Sequence, residues 1–185
     1  MQLTPEIRLS AEQVLQRYAR AVDRSDWPLL RSLYHPDALI DHGQYQGDVD
    51  GFVEFVKGRR EGIVHTAHHL SQVLVEPLSA TEAAVEAYGW AVQTFAAPSS
   101  LVPPGAAGVT YRSTYRYVDR LGLRDGRWGF LETHLVLGDL RVEQHDEAPK
   151  RRPGRSQLPT TEDPLYGLLA RWRAQSSTGR DAGFD

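Results

Sequence analysis

Cysteine is absent from the 185-residue chain, which excludes disulfides, thiolate metal ligands and a cysteine nucleophile. No apolar run approaches the roughly eighteen residues of a membrane span, and the opening MQLTPEIRLS carries no signal-peptide core. These features predict a cytoplasmic protein with no membrane partner. An excess of one charge is missing too: 21 Lys and Arg stand against 24 Asp and Glu, a formal net charge of −3. Such a balance gives no overall field for attracting nucleic acid. HExxH, the Walker loop, GxGxxG and GxSxG do not occur, so the metalloprotease, nucleotide-binding and α/β-hydrolase classes that carry those motifs lack support.

What is present changes character along the chain. Ser10 and Gln13 resemble a capping box, and Val14, Leu15, Tyr18, Ala19 and Val22 recur behind them at helical spacing. Ser25 and Asp26 are cap residues for a second short helix over 27–34, ended by His35-Pro36. A short strand over 38–42 and a third helix from Phe52 to about Arg60 follow. From Ile63 the pattern becomes extended, with runs over 64–76, 81–96, 109–123 and 128–141 rich in Val, Tyr, Thr and Trp. Asp125-Gly126 marks a tight hairpin between the last two. Helices followed by consecutive strands predict an α+β fold, an antiparallel sheet with three N-terminal helices on its concave face.

The composition separates a domain over 1–144 from a polar tail over 145–185. The Lys150-Arg151-Arg152 run reads as solvated linker, and the tail as a linker or an arm on another subunit. A short amphipathic helix is expected over 165–173. Proline and glycine predict mobility over 98–108 and 148–164.

Asp23 falls in the last turn of the first helix, where a negative charge faces the wrong end of the helix dipole. By spacing alone it is a cap for the next helix or a partner of Arg20 or Arg24. His65, His68 and His69 share one strand, and alternation turns His68 to the face opposite the other two. The three histidines therefore cannot converge on a metal, and none is expected.

Three strings carry more than spacing does: RYARAVDRSDWPLLRSLYHPDALIDHGQYQG, TAHHLSQ and YRYVDRLGLRDGRWGF. With them, residues 8–142 resemble a SnoaL-like domain of the nuclear transport factor 2 superfamily, in the branch of scytalone dehydratase, hexachlorocyclohexane dehydrochlorinase and bile acid 7α-dehydratase. The resemblance implies a cone-shaped curved sheet enclosing one apolar pocket. It implies that Asp23 orients His68, with His69 as the near alternative, and that His68 removes a proton from carbon. Tyr18 matches a pocket tyrosine that would donate to a leaving oxygen. Relatives place an arginine on the strand after the tryptophan, whereas here no arginine follows Trp128 before Arg141. Thr133 or His134 would supply that wall's polar contact.

The expected activity is a cofactor-independent elimination, of the dehydratase type, on a small and mostly apolar ring compound. Trp27, Tyr34, His69, Trp90, Tyr115 and Thr133 are the expected substrate contacts. Isomerisation or cyclisation of a similar compound, and ligand binding without catalysis, are the alternatives. Curved sheets of this family associate, so a homodimer or homotrimer is expected.

Overall fold

The computed structural model describes residues 2–150 and 157–177. Three helices, α1 (Pro5–Asp23), α2 (Trp27–Ser32) and α3 (Val49–Gly58), pack against a sheet built from β1 (Tyr34–Asp41), β2 (Gln46–Gly47), β3 (Ile63–Ser79), β4 (Glu82–Ala96), β5 (Gly108–Arg124) and β6 (Arg127–His145); α4 (Pro164–Ser177) lies in the tail. The first helix starts earlier than the Ser10 box suggests. Thr4 accepts a hydrogen bond from the Ile7 N–H, Pro5 occupies the first turn and Glu6 adds a favourable charge. Ile7 and Ala11 extend the buried stripe backward through Ser10.

The curved, unclosed sheet runs β2-β1-β6-β5-β4-β3. It is not wholly antiparallel: β1 pairs with β6 in parallel. The strand after α2 starts at Tyr34, not at Ala38, because Leu33 ends the helix and the Leu33 carbonyl accepts the Phe130 N–H. That bond threads β1 alongside β6. The Asp125-Gly126 hairpin has φ of 51° and 72°, positive at both central residues as a primed turn requires. In β3, Gln72 has a φ of 50° within a register shift between Ser71 and Leu74, so the strand bends at a bulge.

The inner face of β4 is almost all small side chains: Ala83, Val85, Ala87, Gly89 and Ala91 are buried. A Cβ at Gly89 would collide with the Tyr115 ring, so glycine lets that ring lie flat over the strand. Tyr18 on α1 packs edge-on against Tyr34, Tyr117 and Phe130 at centroid distances of 6.5, 5.4 and 5.8 Å. These contacts tie the helix layer to the sheet.

Between β4 and β5, residues 98–107 form turns, and Tyr111 donates to the Leu101 carbonyl. Of the second segment expected to be mobile, and of the basic run, residues 151–156 lie outside the described residues. From Gln157 the tail returns to its own domain. Asp163 pairs with Arg24, Ser25 donates to the Pro159 carbonyl, and Tyr166 donates to Asp26. The tail, expected to be a linker or an arm on another subunit, thus makes these contacts with its own domain. No helix among the described residues is long and apolar enough to cross a membrane.

Asp119 faces inward from β5, opposite Thr133 of β6. Its Oδ1 has no hydrogen-bond partner among the described residues, and burial holds the carboxyl well above its usual range. A carboxyl raised in the folded state stabilises below its unfolded value of about 3.9 and loses that contribution as pH rises. Asp119→Asn is therefore expected to be more stable than the parent at pH 7, by on the order of 1–3 kcal/mol. The gain should vanish below about pH 4. Urea unfolding at both pH values measures it.

Candidate active site

Strand β3 is one edge of the sheet, so one row of its backbone groups has no strand partner. The C-terminal turn of α1 lies against that edge. Asp23 Oδ2 accepts the His68 backbone N–H at 2.9 Å, and Oδ1 accepts the Thr66 hydroxyl at 3.0 Å. His68 Nδ1 lies 2.6 Å from Asp23 Oδ1. Because an ionised carboxylate only accepts, this contact puts a proton on Nδ1. In neutral His68 the lone pair is then on Nε2, away from Asp23.

Both side chains are about one-tenth exposed. Burial alone would raise the Asp23 carboxyl, but the His68 ring, the His68 N–H and the Thr66 hydroxyl outweigh it and hold the group below its usual range. Asp23 thus stays an anion despite its place at the negative end of α1, a position that costs roughly 0.3–1 kcal/mol. Each hydrogen bond to a charged group contributes about 1.5–3 kcal/mol. Three of them decide the balance.

The other expected residues divide by face. Tyr18 and Tyr115 are buried on the inner side, the Tyr115 ring centroid 6.3 Å from that of His68. Burial raises both hydroxyls above their ordinary range, which keeps them protonated. Tyr34 and Thr133 are also buried but belong with Asp119, four residues beyond Tyr115 on β5, about 13 Å along the strand. Trp27 is half-buried on α2 and packs against the core.

His69 and Trp90 do not join the site. They pair across β3 and β4 on the outer face, rings stacked with centroids 4.2 Å apart, and Trp90 is 46% exposed. The pleat is the reason: each neighbours an inward residue, His68 in one case, Gly89 and Ala91 in the other. His134 also lies outward, bonded to Glu132 at 2.8 Å, which leaves Thr133 as the polar residue on that wall.

The structure adds three residues that the sequence reading passed over. Thr66 lies two positions before His68 and shares its face, a period-two signal that was available. His42 follows β1, its Nε2 3.5 Å from the Tyr18 hydroxyl and its ring 5.1 Å from Phe52. Arg60, just past α3, donates through Nη2 to the Val22 carbonyl, one residue before Asp23. Nothing local marks the last two. Asp23, His68, Tyr18, His42 and Tyr115 together offer an imidazole held by a carboxylate, beside the Tyr115 ring, and buried protonated hydroxyls, groups of the kind that move a proton between carbon and oxygen. Among the described residues no group of three or more His, Cys, Asp or Glu forms a metal site.

Comparison with known proteins agrees with this architecture. The family model described as a SnoaL-like domain matches residues 5–134. A candidate scytalone dehydratase from Novosphingobium aromaticivorans superposes with a TM-score of 0.62 at 19% identity, covering 80% of this chain and 95% of that one. A candidate aromatic ring hydroxylase from the same organism gives 0.65 at 22%, covering 77% and 96%. A hexachlorocyclohexane dehydrochlorinase gives 0.65 at 15%, covering 80% and 94%. At these identities the structural likeness establishes the fold. No curated protein matches in sequence.

Burial, helped by charge on His68, pushes the His42 imidazole down to about 4. A histidine depressed in the folded state contributes stability that is complete above its unfolded value of about 6.5 and is lost as pH falls through the folded one. A loss of roughly 3 kcal/mol between pH 6.5 and 4 is expected from this group. His42→Phe should flatten that interval in urea-unfolding measurements.

Proposed function

Because the chain belongs to the SnoaL-like domain family, we propose that it is a cofactor-independent lyase that eliminates water from a small, mostly apolar ring compound. The observation that carries this reading is the 2.6 Å contact from His68 Nδ1 to Asp23. It fixes one tautomer and leaves Nε2 to take a proton from carbon. The names of two similar structures, a scytalone dehydratase and a dehydrochlorinase, both denote eliminations.

In the proposed step His68 Nε2 removes a proton from a carbon acidified by a neighbouring carbonyl or aromatic ring. The C–H electron pair becomes the new double bond, and the C–O bond to the leaving hydroxyl breaks. Tyr18 donates a proton to that oxygen, which departs as water, and proton return from the imidazolium through solvent restores Tyr18. Asp23 holds the ring and stabilises the imidazolium. His42, neutral at pH 7 and near the Tyr18 hydroxyl, orients that donor. Tyr115 bounds the substrate beside His68.

Outward Tyr88, Trp90, Val118 and Val136 are each 39–46% exposed among ion pairs such as Arg116–Glu86, and these apolar side chains support the homodimer or homotrimer expected of the chain. Light scattering at micromolar concentration should give a multiple of the 20.7 kDa chain mass; a monomer contradicts it.

His68→Gln and Asp23→Asn should each lower kcat by on the order of 10²–10⁴ with the fold intact, and the double variant should lose no more than the worse single. Substrate deuterated at the abstracted position should turn over with a primary kinetic isotope effect and release its deuterium to solvent. If a substrate found by screening hydroxylated ring compounds keeps that deuterium in its product, or the double variant turns it over normally, the protein is an isomerase of another mechanism or a binder.

A further inference from the structure

Arg60 has more hydrogen-bonding capacity than the chain uses. Its Nη2 donates to the Val22 carbonyl, while Nε and Nη1 are buried and have no acceptor among the described residues. The neighbouring Arg59 faces out, stacking on Phe55 and donating to Gln44. Arg24 also has buried nitrogens, but it pairs with Asp163. For Arg60 no ion pair forms among the described residues; Asp23, whose charge it feels, bonds instead to Thr66 and His68. Burial lowers the guanidinium to about 10, against the opposing pull of Asp23, so it stays charged at neutral pH.

Buried guanidinium N–H groups without acceptors are unfavourable unless a ligand supplies the acceptors. The bond from Arg60 to the Val22 carbonyl, one residue before Asp23, puts it at the helix end that holds His68 and not in a separate part of the core. We propose that Arg60 is a substrate-binding residue that receives a carboxylate, so that the preferred ligand is an apolar ring compound carrying one. The inference rests on the site described above, and it deepens that reading by naming the charge of the substrate. It also relocates the guanidinium: the strand after Trp128 lacks one, and the end of α3 provides it. A planar carboxylate suits a guanidinium because the N–H groups lie in one plane and each oxygen accepts more than one of them.

Calorimetric titration with 1-naphthoate and its neutral isostere 1-naphthamide tests the assignment without requiring turnover. Wild-type protein should bind naphthoate at least about tenfold more tightly than naphthamide, the difference expected for hydrogen bonds to a charged group. Arg60→Gln should erase that preference while leaving naphthamide affinity within about twofold, and Arg60→Lys should keep part of it. Should Arg60→Gln fail to fold, the Nε–H resonance of wild-type Arg60, assigned by its loss in Arg60→Lys, should shift with naphthoate and not with naphthamide. Equal affinity for the two probes, no binding of either, or a preference that survives Arg60→Gln overturns the proposal. His68→Gln should retain the naphthoate preference, so a failed elimination mechanism and a failed carboxylate site give different results.

Discussion

The Asp23 carboxylate, buried between the last turn of α1 and the open edge of β3, is the interaction on which the arrangement depends. Two liabilities cancel there. A helix ends with an acidic group facing its own unpaired carbonyls, and a sheet ends with N–H groups that have no neighbour. Bringing the two ends together gives the His68 N–H an acceptor and gives the carboxylate a donor. The Thr66 hydroxyl and the His68 ring complete the set. The same contact that docks the helix therefore also sets the tautomer of the histidine. Stability and chemistry share one set of bonds, so Asp23 cannot be altered for one without affecting the other.

The tail uses the edge that remains. Gln157 donates to the Thr66 carbonyl at 2.6 Å, two residues from His68 on the same side of the strand. Asp163 then pairs with Arg24, and Tyr166 reaches Asp26, so the α1–α2 junction is held from outside by the tail and from inside by β3. The residues on either side of Asp23 thus have little freedom to move.

The interior is polar at two levels separated by aromatic rings. Near the β3 edge lie Asp23, His68, His42, Tyr18 and Arg60. Further along β5 lie Asp119, Thr133 and Tyr34, whose Oδ1, Oγ1 and hydroxyl have no partners among the described residues. Tyr18 touches Tyr34, Tyr117 and Phe130 between them. At the first level the Asp23 carboxylate is satisfied by three hydrogen bonds and is held low. At the second, burial outweighs what the Thr133 side chain and the His134 backbone offer, and the carboxyl is held high. The same side-chain type is an anion in one place and a neutral acid in the other because of what surrounds it.

Local signals determined much of this protein. Periodicity marked α1 and the four long strands, Asp26 and Pro28 marked α2, and Asp125-Gly126 marked the hairpin. Alternation put His68 opposite His65 and His69, and the motif strings pointed to Asp23 and His68 as the pair. Some local signals were missed: Thr4-Pro5 gave the true start of α1, and Thr66 shared the His68 face. Alternation also placed Trp90 and His69 on one face, but only the pairing of β3 with β4 showed that face to be the outer one. The parallel pairing of β1 with β6, the return of the tail, and the meeting of His42 with Tyr18 and of Arg60 with the Val22 carbonyl were decided by tertiary structure alone. The reason is physical: helix and strand patterns repeat within a few residues, whereas Asp23 and His68 are 45 residues apart, and Arg60 lies beside Val22 across 38. Those encounters depend on which sheet edge each helix end packs against, and no spacing in the chain encodes that edge.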